Sequence, residues 1–101
     1  EIPGQFSTMR TVLSAEIITV KRNITQTEAE ITLLEDEIKQ LEDRKAVAGA
    51  LWTPLQEAEL VAKQAELEQK KEDLKTYNEQ LDAYNQSLED VSFFCFLFRF
   101  P

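Results

Sequence analysis

Two seven-residue repeats of apolar side chains run through this chain, and they mirror each other about a single point. In the first half Ile17, Ile24, Ile31 and Ile38 recur every seventh residue, interleaved with Leu13, Val20, Thr27, Leu34 and Leu41. In the second half Leu60, Leu67, Leu74, Leu81 and Leu88 recur at the same interval. Apolar residues spaced alternately three and four apart form a stripe that a facing helix can bury. Folding the chain back at 49–52 sets Leu41 against Leu60, Leu34 against Leu67, Thr27 against Leu74, Val20 against Leu81 and Leu13 against Leu88. One register satisfies all five pairs. The expected fold is all-α: an antiparallel two-helix coiled-coil hairpin, with helices over 8–48 and 54–90, a turn at 49–53 and an aromatic C-terminal tail, assembling into a helical bundle.

The turn is the best-marked local feature. Arg44 and Lys45 place cations where a first helix would end, and Gly49 suits a left-handed cap. Thr53-Pro54-Leu55-Gln56 then supplies an N-cap, a proline at the first helical position and a glutamine that completes a capping box. Residues 1–7, with Pro3 and Gly4, read as an irregular lead-in, with Ser7 or Thr8 available to cap the first helix. The stretch from 11 to 27 is rich in Thr, Val and Ile, which favour strands, but its apolar positions keep the heptad phase, so helix is expected. Thr27, with Glu30 three residues on, offers a second possible helix start.

The same register brings less ordinary residues into the seam. Tyr77 faces Ile24 and Tyr84 faces Ile17, each with its phenolic end able to reach water. Lys70 faces Ile31 and Lys63 faces Ile38, with Glu30 and Glu37 beside the isoleucines and Glu66 and Glu59 four residues before the lysines. The aliphatic stems are expected to cover the isoleucines while the ammonium groups reach carboxylates. Thr27 in the seam, with Asn78 and Asn85 beside it, lowers stability and pins register. Trp52 at the turn is expected to plug it by packing on Ala48 and Leu55, the alternative being a contact shown to a partner.

Beyond residue 90 the composition changes. Phe93, Phe94, Phe96, Phe98 and Phe100 lie within eight residues, and the sixth phenylalanine, Phe6, belongs to the same end of the hairpin. This tail is expected to fold back near Phe6, Val12 and Ile18, or onto a second chain, because leaving it in water is costly.

Composition removes most chemistry. Histidine is absent, which excludes Ser-His-Asp and Cys-His arrangements and the Glu-x-x-His di-iron pattern. Cys95 sits among phenylalanines, a setting that keeps a thiol protonated and inert. Two glycines build no phosphate loop, and the carboxylates lack calcium-loop clustering. No catalytic, cofactor-binding or metal-ligating residues are expected, and the chain reads as no enzyme. A net charge of −8 opposes nucleic-acid binding, and the leucine repeat lacks the basic region of a bZIP protein. The acidic Glu30, Glu37, Glu66 and Asp73 fall on one flank, open to a basic partner or simply solvated. Asn23-Ile24-Thr25 and Asn85-Gln86-Ser87 match the glycosylation acceptor but fall within helices. A lone cysteine leaves the compartment open, leaning toward a reducing, cytoplasmic one. Starting at Glu1 rather than Met suits a processed product, a piece of a larger protein or an incomplete sequence.

The expected function is a non-catalytic structural or interaction module that self-associates or docks a protein partner through the seam residues above, Trp52 and the phenylalanine-bearing ends. Two alternatives remain. One is a membrane-active component, a toxin subunit or anchor whose Phe-rich end contacts lipid; the other is an acidic inhibitor that imitates nucleic acid.

Overall fold

The computed structural model describes the backbone of residues 2–99 and the side chains of residues 7–93. Helix α1 spans Ile2–Ala48 and helix α2 spans Pro54–Arg99, joined through a 3₁₀ turn at Gly49–Leu51. The two helices pack against each other, and no strand occurs among the described residues. The Thr- and Ile-rich stretch from 11 to 27 is helical throughout, so periodicity overrides local strand preference there.

The turn forms from the residues expected to make it. Gly49 adopts φ +53°, the left-handed conformation that a side chain disfavours. The Trp52 amide donates to the Gly49 carbonyl at 3.1 Å, closing the 3₁₀ turn, and Trp52 itself is extended. The Thr53 amide then donates to Gln56 Oε1 at 2.9 Å while the Gln56 amide donates to Thr53 Oγ1 at 3.1 Å. This reciprocal capping box supplies partners for two backbone donors at the start of α2.

Both outer boundaries differ from the sequence expectation. The irregular lead-in at 1–7 is instead helical from Ile2. Pro3 falls in the first turn, where its missing N–H would have had no helical acceptor, so it does not break the helix. Ser7 is not a cap; its carbonyl accepts the Thr11 hydroxyl at 3.0 Å, deep in a continuing helix. Thr27 is likewise no helix start but a buried seam residue. At the other end α2 continues to Arg99 rather than stopping near 90. The segment after Asp90 holds no Gly or Pro before Pro101, so backbone hydrogen bonding propagates through it. The backbone over 91–99 therefore does not fold back as a separate tail.

Packing divides into two units, one of Glu1–Ile24 with Thr76–Pro101 and the other of Thr25–Lys75. In the second, which holds the turn, Ile38, Leu41 and Leu60 form a buried cluster with Trp52 and Leu67 packed against it. In the first, Ile17, Val20 and Val91 are buried.

Candidate functional site

Within Thr25–Lys75 the helices are antiparallel, as their cross-helix ion pairs show. Lys45 reaches Glu57, Lys63 reaches Glu37 and Lys70 reaches Glu30, at 2.6, 2.5 and 2.5 Å. Thr27, Leu34, Ile38, Leu41 and Leu60 are buried; Ile31, Lys63, Leu67, Lys70 and Leu74 are half-buried. The two seam lysines thus lay their stems along the apolar stripe and turn their charged ends to its flank. They choose the facing-helix glutamates rather than Glu59 and Glu66 on their own helix.

The hydrogen bond from Lys70, with a second from Gln26 at 3.1 Å, holds the Glu30 carboxyl below its ordinary range. The hydrogen bonds that Lys63 and Lys70 donate to Glu37 and Glu30, respectively, push their ammonium groups above the ordinary lysine range. A lysine held protonated in this way is a positioned cation, poorly suited to act as a nucleophile. Of the four acidic flank residues, Glu30 and Glu37 are therefore committed to these pairs. Glu30, Glu37 and Glu66 line a shallow surface depression with Leu33, Leu34 and Lys63. Among the described residues no group of three or more potential ligands converges to hold a metal ion.

Trp52 closes the turn by packing on the Ile38, Leu41 and Leu60 cluster; of the two neighbours expected for it, Ala48 is half-buried and Leu55 is 81% exposed. Its Nε1 donates to Glu57 Oε1 at 3.0 Å, the same oxygen that receives Lys45. Hydrogen bonds from Lys45 and then Trp52 lower the Glu57 pKa. The extended backbone at Trp52, followed at once by the capped start of α2, sets this side chain over the end of the seam.

In the other unit the heptad phase persists with different chemistry. Leu13, Ile24, Tyr77, Leu81, Tyr84 and Leu88 are half-buried beside the buried Ile17, Val20 and Val91. Val91 was not among the sequence-derived seam residues, although it lies seven residues after Tyr84 and continues that register. Phe93 is 59% exposed. Phe6, Phe94, Phe96, Phe98 and Phe100 lie outside the described side chains, so their expected docking is not placed. Val12 and Ile18, the other proposed neighbours of the tail, are exposed. No helix among the described residues is long and apolar enough to cross a membrane.

Several apolar side chains lie outside the seam in solvent. Val12, Ile18, Leu33 and Val61 are each more than half exposed, and Val47, Leu51 and Leu55 near the turn are more so. Comparison with known proteins adds nothing to this geometry, since no protein-family model, no curated protein and no solved structure matches the chain.

Proposed function

We propose that the chain is a non-catalytic structural or protein-interaction module: an antiparallel coiled-coil hairpin that associates, with itself or with a protein partner, through apolar side chains outside its own seam. One observation carries this reading. The intramolecular seam accounts for the heptad repeats, yet Val12, Ile18, Leu33 and Val61 are left 53–59% exposed. Side chains of this kind gain stability when a partner removes them from water, and two packed helices have no further surface with which to cover them. The absence of histidine and the pairing of Lys63 and Lys70 with glutamates support a scaffold rather than a reactive site.

Sedimentation equilibrium at micromolar concentration, run beside vesicle co-sedimentation, tests the proposal. Association between protein chains without vesicle binding is the expected result. A stable monomer that pellets with vesicles, and ceases to do so when residues 92–101 are deleted, would replace it with a lipid-anchoring role.

A further inference from the structure

The exposed side of α1 between residues 11 and 22 is unlike the corresponding side of α2 in the same unit. Facing away from the seam, α1 presents Thr11, Val12, Ala15, Ile18, Thr19 and Arg22, all exposed, with no carboxylate among them. The matching positions of α2 include Glu79, Asp82, Glu89 and Asp90, also exposed. The polar groups of the α1 side are moreover turned inward: Thr11 Oγ1 donates to the Ser7 carbonyl at 3.0 Å and Thr19 Oγ1 to the Ala15 carbonyl at 3.1 Å. With their hydroxyl protons bonded within their own helix, these threonines can meet a partner through their methyl groups. Val12 is 54% and Ile18 59% exposed.

The order of these residues is itself symmetrical. Reading outward from Ala15, the side presents Val12 and Ile18 at three residues and Thr11 and Thr19 at four. A closed two-fold contact requires a surface complementary to itself, in which residue i meets j and j meets i. Two α1 helices laid antiparallel across an axis at Ala15 fulfil this: Val12 meets Ile18 of the other copy and Thr11 meets Thr19. The small Ala15 side chains lie on the axis, where they allow close approach. Charge favours the same occupant. Two copies of a chain carrying −8 repel wherever their carboxylates face each other; Val12, Ala15, Ile18 and the two threonines bring none to the centre of the contact, and the exposed Glu16 stands at its rim.

We propose that this side of α1 is a two-fold interface that binds a second copy of the chain, antiparallel, with Ala15 at the axis. The inference rests on the interaction-module reading and names its partner. It is tested on the full chain with Cys95 replaced by serine, using sedimentation equilibrium, circular dichroism and oxidative crosslinking. The parent is expected to be a dimer at micromolar concentration, A15E/I18E a monomer of unchanged helix content, and A15C a covalent dimer on mild oxidation. A parent that sediments as a monomer overturns the proposal, as does a dimer that A15E/I18E leaves intact. In either case cooperative helical melting of the same sample shows that the hairpin survives, leaving the module reading open to another partner. Loss of that melting would instead strike the module reading itself.

Discussion

The two units use one heptad phase to build seams of different character. In Thr25–Lys75 aliphatic residues are closed at the turn by Trp52 and flanked by lysines that bond facing glutamates. In the unit of Glu1–Ile24 with Thr76–Pro101 the seam holds Tyr77 and Tyr84, and an exposed face centred on Val12, Ala15 and Ile18 lies on the outside of α1. The difference teaches that periodicity decides which residues face inward, while the residue types at those positions decide how a seam is secured. A turn, a cap and directed ion pairs secure the first within one chain, and both leave apolar side chains outside their seams that another chain can cover, Leu33 and Val61 in the first and Val12 and Ile18 in the second.

The largest expected effect is in the turn-side cluster. L60A removes a side chain that is 4% exposed, and we expect a loss of about 2–5 kcal/mol in urea unfolding followed by circular dichroism. L81A, at a half-buried position in the other unit, should cost about 1–2 kcal/mol. Equal losses would break the comparison. The turn comes next. G49A places a side chain on a residue at φ +53°, where an added Cβ meets nothing within 4 Å, so backbone strain alone should cost about 1–2 kcal/mol. T53A deletes the hydroxyl that accepts the Gln56 amide and should lower stability by about 1 kcal/mol.

The smallest effect is the pH dependence of the flanking pairs, which are partly exposed and screened by solvent. The folded pKa of Glu30 lies below its ordinary value of 4.5, so its contribution is present above that value and is lost as pH falls through the folded pKa. Lys63 and Lys70 have folded values raised above 10.5. Their contribution is complete below the unfolded pKa and disappears as pH rises through the folded one. We therefore expect E30Q to melt slightly below the parent near neutrality and level with it in strong acid. A melting difference independent of pH would show that the Glu30 pairing contributes nothing specific.

Much of this was legible in the sequence, for identifiable reasons. The seam could be read because heptad spacing and helix geometry are directly linked, and the turn because Gly49, Thr53, Pro54 and Gln56 each act through local backbone chemistry. The lysine pairs followed from the same register. The helix ends were misread because Pro3 and the phenylalanine cluster look like interruptions. A proline in the first turn sacrifices no helical bond, and aromatic residues do not terminate a helix. The packing of Trp52 on the Ile38, Leu41 and Leu60 cluster was not foreseen, since it depends on the extended backbone just before α2. Function was not legible because association surfaces carry no fixed residue pattern comparable to a catalytic motif. The Val12–Ala15–Ile18 face of α1 emerges only when exposure, the bonding of its threonine hydroxyls and the acidity of the rest of the chain are considered together.

The central claim, that the chain folds back on itself in one register, is tested most directly by placing cysteines at Leu34 and Leu67, which that register sets against each other. In a background with Cys95 replaced by serine, L34C/L67C should form a disulfide within single chains at high dilution, recovered as an oxidised monomer on a non-reducing gel. Crosslinking only between chains, with a yield that falls on dilution, would contradict the hairpin.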